Sequence, residues 1–211
     1  MFGSLLVFTS VFLAICASAK AVNVNSTLLS RHHQSTMEYE TVSKLNLDAY
    51  AGKWFQVYDN KLAEIYVPKG ARCTTADYGA IEGADNSVSV HNFCLYPDNQ
   101  GMYATSTIDG VATASNPDEE GQLVLKLDGV PFPGEYWVFE LGPINADGLY
   151  DYSIVSGSKA PNNAMYILAR DVNTFKTTYE SDVLANVADM GFTGILSKPI
   201  ETYHGADCDY E

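Results

Sequence analysis

The fold of this chain is decided by residues 52–58, which read GKWFQVY. Residues 47–50, just before them, carry Leu and Tyr at helical spacing, and Gly52 allows the backbone to leave that turn in a conformation that a Cβ atom disfavours. From Trp54 onward the pattern has a period of two, so successive side chains face opposite sides of a strand. The stretch predicts a helical turn and then a strand that begins with a core tryptophan, either at the floor of a barrel or in an ordinary sheet.

The composition is that of a folded, acidic protein. At 211 residues, the chain is long enough for one sizeable domain or two small ones. Hydrophobic residues make up 46% and charged residues 18%, which argues against intrinsic disorder. The formal net charge of −14 repels nucleic acid and anionic lipid surfaces, so we expect no nucleic-acid partner.

The N-terminal residues 1–19 have the pattern of a secretory signal peptide. They form a short apolar run that ends in the Ala-Ser-Ala motif of residues 17–19, which signal peptidase accepts. A membrane anchor, the alternative, needs roughly 18 apolar residues, and this run is shorter. We therefore expect cleavage before Lys20, a secreted, extracellular protein, and no transmembrane segment in the remaining chain.

Residues 20–44 are predicted to be a flexible N-terminal arm, since the stretch up to Glu38 is polar and shows no periodicity. Asn25 begins the only Asn-x-Ser/Thr sequon of the chain and is the predicted glycosylation site. His32 and His33 are adjacent but have no further ligands nearby, so no metal site is predicted.

Seven short strand-like segments, each bounded by turn residues, follow the Trp54 strand. They cover residues 72–79, 87–95, 101–108, 122–127, 135–141, 152–156 and 165–170. The breaks between them are rich in Gly, Pro, Asn and Asp, as in the turns that join antiparallel strands. Eight short strands with no helices between them favour an up-and-down barrel or a sandwich over an α/β fold.

The last part of the chain predicts one amphipathic helix over residues 174–190, with Gly191 as its C-terminal stop. Such a helix needs an apolar surface, which a barrel wall supplies. The sequence thus predicts an all-β domain over residues 45–211: an eight-stranded antiparallel up-and-down β-barrel with one C-terminal helix packed on its wall. In a closed barrel Trp54 and Arg170 lie on adjacent strands at the floor, where a guanidinium can stack on an indole and donate to backbone carbonyls.

Several of these stretches resemble the lipocalins, and within them the apolipoprotein D and bacterial lipocalin branch. They are GKW at residues 52–54, YWVF at 136–139, YSIVSG at 152–157 and MYILAR at 165–170. Residues 72–78 and 208–210 are also similar to that branch, and the resemblance extends from about Leu45 to the C-terminus. The second family motif, a Thr-Asp-Tyr turn, is degenerate here, where either residues 147–149 or residues 150–152 stand at its place.

The resemblance implies a small apolar ligand inside the barrel and no cofactor. The ligand contacts that the resemblance implies are Tyr78, Asn92, Leu127, Tyr136 and Tyr166, of which Tyr136 and Tyr166 are expected at the mouth. Strand parity adds Gln56 and Tyr58 to this set. Aromatic rings with a few hydroxyl and amide groups suit an elongated apolar molecule with one polar end, such as a fatty acid, retinoid, steroid, carotenoid or tetrapyrrole. The alternative is that these rings merely fill the barrel.

After removal of the signal peptide, which contains Cys16, the chain has three cysteines, Cys73, Cys94 and Cys208, so one of them has no partner within the chain. If Tyr78 faces inward, Cys73 points outward near the rim, within reach of a tail that carries Cys208. Cys94 shares the inward face of Asn92. We therefore predict a Cys73–Cys208 disulfide with Cys94 as a free thiol, a pairing that the apolipoprotein D resemblance also favours.

Two other functions stay open beside ligand binding. A few lipocalin relatives are isomerases or de-epoxidases, and Cys94 is a candidate nucleophile in the cavity, although His91 faces the opposite side and no basic partner is identifiable, so catalysis is not predicted. The apolar loop at residues 130–134 is expected at the barrel mouth, as a lid or as a contact for a cell-surface receptor.

Overall fold

A computed structural model describes residues 39–114 and 116–210. The predicted signal peptide over residues 1–19, the Asn25 sequon and the histidine pair lie outside the described residues. Of the predicted N-terminal arm, residues 39–44 are described, and the backbone of Val42 exchanges hydrogen bonds with that of Gly121 and Val138.

The described chain forms an antiparallel up-and-down barrel of eight strands, closed because β1 pairs with both β2 and β8. The first elements are α1 (Leu47–Tyr50), β1 (Gly52–Asp59), a 3₁₀ turn (Ala63–Tyr66), β2 (Arg72–Ala80), β3 (Ser87–Pro97) and β4 (Tyr103–Ala114). The barrel is completed by β5 (Gln122–Leu127), β6 (Gly134–Leu141), β7 (Tyr152–Ser156) and β8 (Tyr166–Ala169). The predicted fold class is confirmed.

One strand is longer than its sequence pattern indicates. The strand predicted over residues 101–108 continues as β4 to Ala114. Gly110 lies opposite Leu127, where a Cβ atom would stand 2.4 Å from the Lys126 carbonyl oxygen. The glycine therefore permits the close approach of β5.

The C-terminal helix consists of α2 (Val172–Thr174), a π-helical turn (Phe175–Tyr179) and α3 (Glu180–Asp189), and a short strand β9 (Ile200–Glu201) then pairs with the end of β1. Asp171 caps the helix by accepting a hydrogen bond from the Thr174 amide at 2.7 Å. The buried apolar side of the helix, which includes Phe175, packs against outward-facing residues of β1, β7 and β8. The predicted amphipathic helix on the barrel wall is confirmed.

α1 covers one end of the barrel, which is therefore its closed end. The Arg170 guanidinium lies 3.8 Å from the centre of the Trp54 ring system. It donates hydrogen bonds to the carbonyl oxygens of Ala49, Tyr50, Lys53 and Tyr150. Gly52 has a φ of +90°, and a Cβ atom there would stand 3.4 Å from Arg170 Nη1. The predicted floor of Gly52, Trp54 and Arg170 is confirmed.

The turn before β7 also belongs to this floor. The Arg170 amide donates to the Asp151 carbonyl at 3.0 Å, and Tyr179 donates to the Asp151 carboxylate at 2.6 Å. Asp151 therefore links the turn before β7 to the end of β8 and to the C-terminal helix.

The disulfide joins Cys73 to Cys208 on the outer face of the barrel, with Cα atoms 5.5 Å apart. Phe93 and Leu95 pack beside it under the C-terminal tail. Cys94 is a buried free thiol. Both cysteine predictions are confirmed. None of the helices in the described part of the chain has the length and apolarity needed to cross a membrane.

Candidate functional site

The strand register identifies the side chains that face the barrel interior, because directly opposed residues of neighbouring strands share a face. Trp54 pairs with Ala76, Ala76 with Asn92, and Asn92 with Ile108. On the other side, Gln56 pairs with Leu168. These residues therefore line one continuous inner surface, to which most of the predicted ligand contacts belong.

The lower half of the interior, nearest α1, is filled by three tyrosines. Tyr136 Oη lies 2.6 Å from Tyr50 Oη and 2.8 Å from Tyr78 Oη, and Tyr50 donates to Ser153 Oγ at 3.1 Å. Burial raises the pKa of Tyr50 to about 12 and those of Tyr78 and Tyr136 well above their usual value, so all three stay neutral. Tyr78 and Tyr136 thus lie at the boundary between this packed lower half and the upper half of the interior. The expectation that Tyr136 lies at the mouth is wrong, because its hydroxyl points to α1 at the closed end.

The upper half of the interior is less buried than the lower half. Val90 and Ala112, which face inward near the tyrosines, are 2% and 0% exposed, whereas the inward residues Asn92 and Ile108 are partly exposed. We call this accessible space the upper chamber. Its lining is defined by Gln56, Asp59, Asn92, Cys94, Ser106, Ile108, Leu127 and Tyr166. Four of the predicted ligand contacts, Gln56, Asn92, Leu127 and Tyr166, are brought together there.

A polar group stands at one side of the upper chamber. Gln56 Nε2 donates to Asp59 Oδ2 and to Thr202 Oγ1, both at 3.2 Å. Asp59 pairs with Tyr166 across β1 and β8. Burial, and then repulsion from Glu64, raise the pKa of the Asp59 carboxyl to about 6. The chamber therefore combines apolar walls with an amide and a carboxylate.

Tyr58 does not line the interior, and its prediction as a ligand contact is wrong. The pairing of β1 with β8 shifts by a residue between Gln56 and Tyr58, a β-bulge that turns Val57 and Tyr58 to the outside. The Tyr58 hydroxyl donates to Glu180 Oε1 of α3 at 2.8 Å. The same bulge turns Asp59 inward, which sequence parity missed because the alternation of residues 52–58 gives no sign of a bulge.

Cys94 faces inward opposite Ser106 and is 5% exposed. Burial raises the pKa of its thiol, which opposes formation of a reactive thiolate. Among the inward strand positions that the structure describes, none carries Lys, Arg or His. His91 lies on the outer face, 2.6 Å from Asp109 Oδ1. The arrangement does not support Cys94 as a nucleophile.

The loops around the open end carry exposed apolar side chains. Ile65 and Tyr66, between β1 and β2, are 75% and 68% exposed, and Phe132, between β5 and β6, is 79% exposed. The predicted apolar loop at residues 130–134 therefore lies at the mouth. No group of three or more His, Cys, Asp or Glu side chains within residues 39–114 and 116–210 is arranged to hold a metal ion.

Comparison with known proteins identifies the family. The lipocalin-like domain family matches residues 45–199, most of the chain. The protein belongs to the lipocalin-like family. Lipocalins of this kind are generally small-ligand binding proteins, and the upper chamber of this lipocalin is consistent with that role.

Individual relatives are distant. Temperature-induced lipocalin-1 of Arabidopsis thaliana is 25% identical over 150 residues, which cover 68% of this lipocalin and 72% of the plant protein. Lobster apocrustacyanin A1 superimposes with a TM-score of 0.50 at 13% identity, covering 76% of this chain and 81% of its own. Japanin from Rhipicephalus appendiculatus, solved bound to cholesterol, gives a TM-score of 0.51 at 10% identity, covering 78% and 99%. These two structural similarities show the fold alone.

Proposed function

We propose that this lipocalin binds a small, largely apolar molecule in the upper chamber and carries it outside the cell. The observation that supports the proposal is the contrast between fully buried side chains in the lower half of the interior and partly exposed inward side chains in the upper half. A barrel that served only as a structural core would have its upper half filled as well. Binding is favoured over catalysis because no basic residue accompanies Cys94 among the inward strand positions that the structure describes.

The lining of the chamber supports a ligand with an apolar body and one polar end. Ile108 and Leu127 offer apolar surface, and the amides of Gln56 and Asn92 offer hydrogen bonds. Retinoids, steroids, carotenoids, tetrapyrroles and fatty acids have this general form. Placement of the protein in the apolipoprotein D and bacterial lipocalin branch is part of the proposal, supported by the resemblance of residues 72–78 and 208–210.

Native mass spectrometry of protein purified from its own source tests this function. We expect a bound mass that is lost on organic extraction and identified in the extract. With the emptied protein, titration of the neutral dye Nile red is expected to give one saturable site. A chamber that takes up neither the dye nor any extracted molecule contradicts the proposal.

Export from the cell is proposed on the signal-like residues 1–19, and it is supported by the Cys73–Cys208 disulfide, since such bonds persist in oxidising compartments. N-terminal sequencing of protein from culture medium is expected to begin at Lys20. Digestion with a peptide N-glycosidase is expected to lower the mass, and an Asn25→Gln variant is expected to lose that difference. Retention of residues 1–19 in a cell-associated protein contradicts export.

Contact with a cell-surface receptor is a second candidate function, because Phe132 is 79% exposed at the mouth. A Phe132→Ser variant is expected to lose binding to cells while its Nile red affinity is retained. Equal cell binding by the variant and the unaltered protein would remove this candidate.

A further inference from the structure

The upper chamber contains a single carboxylate. Among the inward strand positions of the described residues, Asp59 is the one acidic residue, and no basic residue accompanies it. Its backbone pairs with Tyr166 on one side and with Ile200 of β9 on the other. The position of Asp59 is therefore fixed by strands on both sides.

The next residue anchors the mouth loops around this carboxylate. Asn60 is 0% exposed, and its Oδ1 accepts hydrogen bonds from the amides of Ala63 at 3.0 Å and Met165 at 3.3 Å. Asn60 Nδ2 donates to the Asn163 carbonyl oxygen at 2.9 Å. These bonds join the β1–β2 loop to the β7–β8 loop at the residue that follows Asp59.

The protein itself compensates this negative charge only in part. Gln56 Nε2 is neutral and donates to Oδ2. Lys61, the nearest basic residue along the chain, forms an ion pair with Glu64 on the surface. A partly buried carboxylate without a paired cation is unfavourable, and a cationic ligand would remove that cost on binding.

We propose that the upper chamber selects a protonated amine carried on an apolar body, with Asp59 as its counter-ion. This inference rests on the proposed function and narrows its ligand class. An ammonium group donates charge-assisted hydrogen bonds to the carboxylate, and Tyr166, directly opposite Asp59 on β8, places an aromatic residue beside the same position. A fatty acid would instead place two carboxylates close together in the chamber, which is unfavourable.

Three probes that share one tail test the selection: dodecylamine, dodecanol and dodecanoate. Each is titrated calorimetrically at neutral pH into the emptied full-length protein, below its critical micelle concentration. We expect the amine to bind about tenfold more tightly than the alcohol, and the carboxylate to bind more weakly than the alcohol. Asp59→Asn is expected to remove the preference for the amine, and Asp59→Glu, which keeps the charge, is expected to retain it.

Asp109→Asn is the matched control, because it makes the same charge change on the outer face of β4, where the Asp109 side chain is 66% exposed. This variant is expected to keep the amine preference. If the alcohol binds but the amine binds no better, or if Asp59→Asn leaves the preference intact, the inference is wrong and the proposed function stands. If none of the probes binds, and Nile red does not either, the proposed function itself fails.

Discussion

Tyr136 Oη on the barrel wall lies 2.6 Å from Tyr50 Oη on the helical turn that closes the barrel. The same Tyr136 hydroxyl lies 2.8 Å from that of Tyr78, so three buried tyrosines are joined at one point. This cluster of three tyrosines forms the upper boundary of the packed lower half of the interior. It also makes Tyr136 a residue of both the core and the chamber base.

Replacing Tyr136 with Phe is expected to lower the free energy of unfolding by about 1–3 kcal/mol, because Tyr78 loses its buried hydrogen-bond partner. Denaturant unfolding measures the change. Tyr66→Phe is the control, since Tyr66 is 68% exposed, and it is expected to have no measurable effect. Equal stability of the two variants would contradict the hydrogen-bonded tyrosine cluster.

A substitution in the barrel floor is expected to lower the free energy of unfolding more than Tyr136→Phe does. Trp54→Ala removes a fully buried ring and the surface on which Arg170 stacks, so we expect a loss of about 3–5 kcal/mol in unfolding free energy. Trp137→Ala removes the same ring from the outer face of β6, where it is only partly buried, and is expected to cost less. A smaller loss for Trp54 than for Trp137 would contradict the barrel floor.

The chamber predicts a difference in ligand affinity between changes at two tyrosines, Tyr166 and Tyr58, that were both expected to contact the ligand. Tyr166→Ala is expected to weaken Nile red binding by about 1–3 kcal/mol, because Tyr166 lines the upper chamber. Tyr58→Phe is expected to leave the dye affinity unchanged, since the Tyr58 hydroxyl binds Glu180 on the helix. Fluorescence titration compares the variants, and an unchanged affinity in Tyr166→Ala would place the dye elsewhere.

The disulfide closes a long loop, with 135 residues of sequence separation between its cysteines. The chain-entropy model assigns such a loop a stabilisation of about 5 kcal/mol, so Cys208→Ser is expected to lower the unfolding free energy by up to that amount. Cys94→Ser, the control, keeps the disulfide and is expected to change stability much less. Non-reducing peptide mapping that found Cys94 in a crosslink would refute the pairing.

The barrel could be predicted from the sequence because the features that indicate it lie close together along the chain. Turn residues separate the strands, and Trp54 and Arg170 lie at strand ends that chain direction brings together. Prediction from the sequence failed at Tyr58 and Asp59, where a bulge in the register with β8 reverses the parity. It also missed the direction of the Tyr136 side chain, since that depends on the distant Tyr50 hydroxyl rather than on the pattern of β6.

Asp59 has a defined electrostatic environment. The groups that face it are Gln56 on its own strand, Tyr166 on β8, and Glu64 and Lys61 from the loop that follows β1. Burial is the main cause that raises its pKa, with Glu64 second, while Gln56 and Lys61 lower it. The folded protein therefore binds a proton at Asp59 more tightly than the unfolded chain does.

This linkage predicts a pH dependence of stability that depends on Asp59. The pKa of Asp59 rises from 3.8 to about 6 on folding, so proton binding at Asp59 stabilises the folded state. This contribution to the free energy of unfolding is complete at pH values below 3.8, the pKa in the unfolded chain, and is lost as the pH rises through about 6. Relative to Asp59→Asn, the unaltered protein is expected to lose about 1–2 kcal/mol of unfolding free energy across that window, after allowance for solvent screening. Denaturant unfolding at a series of pH values measures it, with Asp85→Asn, at an exposed position before β3, as the charge-matched control. Parallel stability profiles for the unaltered protein and Asp59→Asn would show that the carboxylate is solvated rather than held inside the chamber.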